Sequence, residues 1–292
     1  MADQIALRFN HEQDARMLTV NANGARMPAL GFGTWRLRGE ECASLVKHAV
    51  ASGYTSIDTA IMYDNEEDVG EGLRRAEQPR DQLFITSKVW PSEVMDGQFQ
   101  RCVEGSLKRL GLDYLDLVLI HWPPQDNDDV AEWMRLLNDV ADQGLARNIG
   151  VSNFTIPLIE RAVAASHRPL ACNQVEHHPY INQSRLRQVC DDHGIALVGY
   201  CPLFRGGDLF EQTAITSAAA AHGKSPAQIV LRWHVQSGCV AIPKTATPSR
   251  AVENIDIFDF ELTGDQMDAI NALTARHERI CDYDFSPQWD VP

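Results

Sequence analysis

The chain has 292 residues, is 44% hydrophobic and carries a net charge of −14, from 26 Lys and Arg against 40 Asp and Glu. This acidity argues against binding to nucleic acid or to an anionic membrane, because both need concentrated positive potential. The seven cysteines are an odd number without a C-x-x-C pair, so we expect neither a disulfide framework nor a metal site. The sequence shows no secretory signal and no apolar run of membrane length, which predicts a cytoplasmic protein.

The amino-terminal region is predicted to be a loose extension followed by a hairpin. Residues 1–13 are polar and aperiodic, as is typical of a loose terminus. The apolar runs 17–20 and 26–30 flank the turn-prone sequence Asn-Ala-Asn-Gly at 21–24, which predicts a β-hairpin. The first strand of a larger sheet is then expected near residues 30–35.

Several later segments carry apolar residues at three- and four-residue steps, the spacing of an amphipathic helix. One of them begins with Ser225, a good capping residue, and Pro226, which suits the first helical position. The predicted helices cover residues 40–52, 98–110, 130–141, 157–166, a segment that begins at 226, and 264–273.

Short apolar strands alternate with these helices, and polar side chains follow the strands. The first polar residues are Asp58 and, five positions later, Tyr63. Lys88 and His121 follow the next two strands. The spacings of 30 residues from Asp58 to Lys88 and 33 from Lys88 to His121 each fit a strand, a crossover helix and two loops. In a parallel barrel such strand ends meet on the face that carries active sites. We therefore predict a single (β/α)8 barrel over residues 1–292, with these four residues in one site.

The motifs at these strand ends resemble those of the aldo-keto reductase family, in family order and over most of the chain. They are the D-T-A-x-x-Y run at 58–63, Lys88, His-Trp-Pro at 121–123, Ser-Asn-Phe at 152–154, Asn-Gln-Val-Glu at 173–176, and Ile-Pro-Lys at 242–244 followed by Arg250 and Asn254. The resemblance implies a barrel closed at its bottom by the amino-terminal hairpin, with a short carboxyl-terminal loop. It also implies the reduction of aldehydes or ketones by hydride transfer from NADPH.

The resemblance assigns a role to each of the four strand-end residues. Tyr63 would donate a proton, and the Lys88 ammonium would lower its pKa from the ordinary value of about 10. Asp58 would hold Lys88 charged, and His121 would place the carbonyl oxygen. A structural interpretation stays open for each residue: a buried ion pair of Asp58 with Lys88, a hydrogen-bonded core His121 and a packing Tyr63. Their joint placement and the family motif favour catalysis.

The resemblance also implies a cofactor site and a substrate pocket. The nicotinamide carboxamide is expected to bind Ser152, Asn153 and Gln174, and the ring of Tyr200 is expected to stack on the nicotinamide. Pro202 and Leu203 belong to the loop that is expected to fold over the pyrophosphate. The segment for the adenosine phosphate contains Lys244, Thr245, Arg250, Glu253 and Asn254. Its two cations suit a ribose 2′-phosphate, which favours NADPH and leaves NADH as the weaker cofactor. Trp35, Trp90 and Trp122 match apolar positions of the substrate pocket.

Two other classes of protein are alternatives to a reductase. A barrel could bind NADP(H) as a redox-sensing or regulatory subunit without significant turnover, although an intact set of four residues argues for catalysis. A sugar-processing hydrolase would need paired carboxylates at strand ends, and only Asp58 and Glu176 lie there. The short tail resembles that of microbial members that act on keto sugars, diketogluconates or methylglyoxal-like carbonyls. We expect a monomer that acts on a small carbonyl substrate.

Overall fold

The structure is a computed structural model, and it describes residues 18–95, 98–124 and 128–291. The predicted loose extension, residues 1–13, lies outside these ranges. In the described part, eight parallel strands follow one another around a barrel in chain order, and each hydrogen-bonds to the next. They are β3 (Phe32–Gly33), β4 (Ser56–Asp58), β5 (Phe84–Val89), β6 (Leu115–Ile120), β7 (Ala146–Ser152), β8 (Leu170–Glu176), β9 (Ala196–Tyr200) and β10 (Val240–Ala241).

The first and last strands meet and close the barrel. Leu30 forms a parallel bridge with Ala241, and the Gly33 amide donates to the carbonyl of Pro243 at 3.0 Å. A Cβ at Gly33 would come within 3.1 Å of the Ile242 carbonyl oxygen, so glycine permits this close approach of two backbones. The predicted (β/α)8 barrel is confirmed.

A two-stranded antiparallel hairpin precedes the barrel, as predicted. It consists of β1 (Thr19–Ala22) and β2 (Ala25–Pro28), joined by a two-residue turn with positive φ at Asn23 and Gly24. The turn is shorter than the predicted 21–24, because an Asn-Gly pair alone supplies the two left-handed residues that a tight hairpin needs. The Asn23 side-chain amide donates to the carbonyls of Leu170 and His193, at 2.8 and 3.0 Å. Leu170 is the first residue of β8 and His193 lies just before β9, so the hairpin covers the amino-terminal end of the barrel.

The helices lie outside the strands, and those predicted from apolar spacing are confirmed within a few residues. The Ser225 hydroxyl accepts the Gln228 amide and the Gln228 side chain accepts the Ser225 amide, which is a capping box. No helix in the described part of the chain is both long enough and apolar enough to cross a membrane. The helices are α1 (Gly39–Ala51), α2 (Glu66–Ala76), α3 (Pro91–Met95), α4 (Phe99–Leu110), α5 (Val130–Asp142), α6 (Ile156–Ala165), α7 (Ser184–Asp192), α8 (Thr213–His222), α9 (Pro226–Gln236), α10 (Pro248–Ile255) and α11 (Gly264–Asn271).

The strands of the barrel are buried along nearly their whole length, as expected for a parallel sheet covered by helices. Because all eight strands run in one direction, their carboxyl ends lie at the same end of the barrel. Charged residues at this end, such as Asp58 of β4 and Lys88 of β5, are also buried, and burial of a charge is unfavourable unless the charge is paired. They need partners, and the site at this end supplies them.

Candidate active site

A buried ion pair lies at the carboxyl ends of β4 and β5. Lys88 is fully buried, and its Nζ donates to Asp58 Oδ1 at 2.5 Å and to the Thr59 carbonyl at 2.9 Å. The third contact of Nζ is the hydroxyl of Tyr63, at 3.3 Å. Tyr63 ends a short helical turn, Ile61–Tyr63, that follows β4. The structure therefore brings the predicted acid, cation and phenol into direct contact.

Burial and charge act in opposite directions on these groups. Burial raises the pKa of Tyr63 above its ordinary value, and Lys88 lowers that pKa by a smaller amount. Lys88 acts on the pKa of Tyr63 in the expected direction, although burial outweighs it and the net pKa is raised. Burial also opposes the charge of Lys88, yet Asp58 and Tyr63 together raise the pKa of the lysine. At neutral pH the phenol thus keeps its proton and the amine keeps its charge.

His121 follows β6 and faces the same group. Its ring centroid lies 5.6 Å from that of Tyr63 and 5.3 Å from that of Trp90. Burial and then the charge of Lys88 hold the pKa of His121 well below its usual range, so the imidazole is neutral. Its Nδ1 is buried and has no hydrogen-bond partner among the described residues. A neutral imidazole has one donor nitrogen and can orient a ligand oxygen.

The next strand ends bring the predicted nicotinamide residues to the same place. Gln174 Nε2 donates to Asp58 Oδ2 at 2.8 Å, which joins this residue to the ion pair. Asn153 has a left-handed backbone, with φ of 62°, and its Nδ2 donates to the His121 carbonyl at 3.0 Å. The Tyr200 hydroxyl donates to Asn153 Oδ1 at 2.8 Å. Asn153 therefore braces β6 against β9 through both ends of its amide.

A cleft of about 1030 Å³ opens at this end of the barrel. Lys88 is fully buried against Tyr63 and does not line the cleft, whereas all the other predicted site residues do. Those lining residues are Trp35, Asp58, Tyr63, Trp90, His121, Trp122, Ser152, Asn153, Gln174, Tyr200, Pro202, Leu203, Lys244, Thr245, Arg250, Glu253 and Asn254. A single cleft thus contains the proton-donor candidates and the residues predicted to hold a dinucleotide.

The cleft fits a nicotinamide dinucleotide in size and in charge. Its volume is at the upper end for small-molecule sites, as an extended dinucleotide requires. Lys244 and Arg250 are exposed, and the structure records no ion pair for either within its described residues. Their charges are available to an anionic group. Gly206 and Gly207 have φ of 83° and 64°, in the loop that was predicted to cover a pyrophosphate.

The carboxyl-terminal tail forms a wall of the cleft, and the residues of this wall were not predicted. Tyr283 and Phe285 stack with centroids 5.1 Å apart, and Phe285 contacts Trp122 edge-on at 5.2 Å. Phe285 also packs on Trp90 at 5.5 Å, while Trp35 packs on Tyr63 from another side at 4.8 Å. The only signal in the sequence was the density of aromatic residues in this irregular segment. The three predicted tryptophans belong to a larger aromatic enclosure.

Glu176, the second carboxylate weighed for a hydrolase, is occupied by the tail. Its Oε1 and Oε2 accept the backbone amides of Ile280 and Cys281, at 2.7 and 2.8 Å. His178 Nε2 also lies 2.8 Å from Oε1. With Asp58 tied to Lys88, neither carboxylate is free for the acid and base roles of glycoside hydrolysis.

Comparisons with known proteins agree with this architecture. The model of the aldo/keto reductase family matches residues 29–275. The chain is 42% identical over 259 residues to 2,5-diketo-D-gluconic acid reductase B of a Corynebacterium species, covering 87% of this chain and 92% of that one. It is 43% identical over 259 residues to glyoxal reductase of Bacillus subtilis, covering 88% and 92%. The crystal structure of an aldo/keto reductase from Brucella melitensis superimposes with a TM-score of 0.84 at 41% identity, covering 88% of this chain and 99% of that one.

The chain therefore belongs to the aldo/keto reductase family. It is an oxidoreductase that acts on carbonyl groups. Members of this family generally use nicotinamide cofactors, and the cleft described above has the size and charge for one.

Proposed function

We propose that this protein reduces small aldehydes and ketones to alcohols with NADPH, and that Tyr63 donates the proton. One observation carries the assignment of the acid: the Tyr63 hydroxyl lies 3.3 Å from the ammonium of a fully buried lysine, on the floor of the cleft. His121 is the other group near that position, and its neutral imidazole is a far weaker acid than a phenol beside a cation.

When bound, the reduced nicotinamide supplies the hydride to the carbonyl carbon. As negative charge grows on the carbonyl oxygen, Tyr63 transfers the proton from its Oη to that oxygen. The Lys88 ammonium stabilises the phenolate that this leaves, and Asp58 keeps the ammonium charged and in place. His121 orients the oxygen with its ring N–H. Solvent then reprotonates Tyr63 before the next turnover.

The cofactor assignment rests on the two ends of the cleft. Ser152, Gln174 and Tyr200 would hold the nicotinamide, with Asn153 as the brace that sets the position of Tyr200. At the far end, Lys244 and Arg250 would bind the 2′-phosphate that distinguishes NADPH from NADH. Arginine suits this role because its fork of donors matches phosphate oxygens.

Small, polar carbonyl compounds fit the aromatic enclosure best. Trp35, Trp90 and Trp122 line the same cleft as Tyr63, together with Tyr283 and Phe285. Flat rings of this kind contact a compact substrate without demanding one pattern of hydrogen bonds, which suits a broad range. The relatives named for 2,5-diketo-D-gluconic acid and for glyoxal point to dicarbonyls.

The test is a panel of glyoxal, methylglyoxal, 2,5-diketo-D-gluconate and simple aldehydes, each followed by the loss of NADPH or NADH absorbance. We expect turnover of the dicarbonyls, and a higher kcat/KM with NADPH than with NADH. Tight NADPH binding without reduction of any carbonyl would instead support the regulatory, non-enzymatic alternative. The monomeric state and the cytoplasmic location stay predictions from the sequence, and light scattering of the purified protein tests the first.

A further inference from the structure

Two cysteines meet at the rim of the cleft although 80 positions separate them in the sequence. The Sγ atoms of Cys201 and Cys281 lie 3.9 Å apart, and both residues line the cleft. Cys201 follows β9 and begins the loop 201–207, while Cys281 belongs to the carboxyl-terminal tail. Neither thiol has a role in the reduction derived above.

Buried hydrogen bonds fix the position of this pair. The backbone amide of Cys281 donates to Glu176 Oε2 at 2.8 Å, and Glu176 is fully buried at the end of β8. Cys201 is placed by the neighbouring strand, since β8 and β9 pair with Glu176 opposite Tyr200. The two sulfur atoms are thus held near each other by adjacent strands of the barrel, and they must approach by about 1.9 Å from the observed 3.9 Å to form an S–S bond.

The contact also makes the two thiols unequal. The hydrogen bond between them lowers the pKa of Cys281 and raises the pKa of Cys201, so Cys281 is the stronger candidate for a thiolate. A thiolate is the nucleophile in thiol oxidation, and a redox-sensing cysteine usually has a second cysteine beside it to resolve the first product. The cleft gives a small oxidant access to both.

We propose that Cys201 and Cys281 are a reversible redox modification site that a hydroperoxide converts to a disulfide. The Cys281 thiolate attacks the peroxide, so that an S–O bond forms and the O–O bond breaks. The alkoxide or hydroxide that leaves takes a proton from solvent and becomes an alcohol or water. Cys201 then attacks the sulfenic sulfur. The S–S bond forms, the S–O bond breaks, and water leaves with the Cys201 proton. The two thiols lose two electrons in total, and a dithiol reductant reverses the change.

The crosslink would join the two segments that flank the cleft. Loop 201–207 carries the residues proposed to cover the pyrophosphate, and the tail carries the aromatic wall that includes Tyr283 and Phe285. Phe204 and Arg205 hold left-handed backbones in this loop, with φ of 49° and 58°. A dinucleotide must pass these segments to enter or leave. The disulfide should therefore slow its exchange, and release steps of this kind often limit turnover.

The first experiment detects the bond without reference to activity. The wild-type protein is treated with hydrogen peroxide, the remaining thiols are blocked, and peptides are mapped by mass spectrometry without reduction. We expect one linked pair of peptides, carrying Cys201 and Cys281, which dithiothreitol separates. Cys102→Ser is the matched control, because Cys102 is a partly exposed cysteine on α4, outside the cleft, and its loss should leave the linkage unchanged. Recovery of both Cys201 and Cys281 as free thiols, or linkage of another pair, would overturn the proposal.

The second experiment measures the consequence, and it rests on the proposed use of a dinucleotide. The rate of NADPH dissociation is followed by nucleotide fluorescence in the reduced and the oxidised protein. We expect a rate about tenfold lower after oxidation, with recovery on addition of dithiothreitol. Cys201→Ser and Cys281→Ala, each compared only with itself before and after peroxide, should show no change. Formation of the linkage with an unchanged dissociation rate would refute the closure of the cleft, whereas absence of NADPH binding to the reduced protein would count against the proposed function alone.

Discussion

Replacing Lys88 by Met separates a catalytic cation from a structural one, because the two roles predict different losses. Lys88 donates to Asp58, to the Thr59 carbonyl and to Tyr63, and Lys88 and Asp58 are both buried. Its removal leaves the Asp58 carboxylate with Gln174 as its remaining side-chain donor in the described part of the chain. Breaking a buried pair in this way costs about 3–5 kcal/mol. We expect a melting temperature lower by about 10 °C.

The loss of activity follows from the contact with the phenol. At the observed 3.3 Å, an ammonium and a phenolate attract by about 5 kcal/mol at an effective dielectric constant near 20. Asp58 carries the opposite charge beside Lys88 and offsets part of this attraction. A remaining stabilisation of about 3 kcal/mol corresponds to a loss of about a hundredfold in kcat at neutral pH.

The pH dependence gives a further readout of the same substitution. Reduction needs protonated Tyr63, so activity falls as pH rises through the pKa of that residue. Lys88 opposes the upward shift caused by burial, and without it the pKa of Tyr63 rises further. The alkaline limb of the profile should therefore move to higher pH in Lys88→Met. Because the pKa of Lys88 is raised in the folded protein, its charge contributes fully to stability below the unfolded-state pKa of about 10.4. This contribution is lost as the pH rises through the folded-state pKa of Lys88. The difference in melting temperature between the wild type and Lys88→Met should therefore become smaller at strongly alkaline pH.

A double variant completes the experiment. Asp58→Asn with Lys88→Met removes both charges of the pair, so we expect the melting temperature to recover most of its loss while kcat stays low. The single Asp58→Asn variant is measured alongside. If Lys88→Met melts far below the wild type yet keeps its turnover and pH profile while folded, Lys88 is structural and the mechanism proposed here is wrong.

Three other substitutions test the remaining parts of the site. Tyr63→Phe should leave NADPH binding nearly intact and lower kcat by at least about a hundredfold, since it removes only the acid; wild-type turnover would refute the assignment. Lys244→Met and Arg250→Met should each weaken NADPH about tenfold, with much less effect on NADH, because a charge-assisted hydrogen bond is worth about 1.5–3 kcal/mol and both cations are exposed. Lys47→Met, an exposed cation on α1 outside the cleft, is the control, and equal losses for both cofactors would contradict the 2′-phosphate site.

The barrel and the groups at its strand ends were predictable because each depends on local patterns. Apolar spacing fixed helices such as α1 and α5 to within a residue or two, and strand direction then placed Asp58, Lys88 and His121 at one end. The net shift of the Tyr63 pKa was not predictable, since it depends on how much burial outweighs Lys88. The contacts of the carboxyl-terminal tail could not be predicted from the sequence either. Its residues have no period, and their positions depend on the carboxylate of Glu176, about a hundred residues earlier.

Asn153 shows why a role implied by resemblance still has to be compared with geometry. The family pattern places an amide there for the nicotinamide, and the residue does line the cleft. Its Nδ2, however, donates to the His121 carbonyl and to Ser152 Oγ, and its Oδ1 accepts from Tyr200. A bond to the cofactor would have to share or replace one of these. These bonds connect the His121 backbone to the Tyr200 hydroxyl. We therefore expect Asn153 to affect nucleotide binding first through the position of Tyr200, even where no direct bond to the cofactor forms.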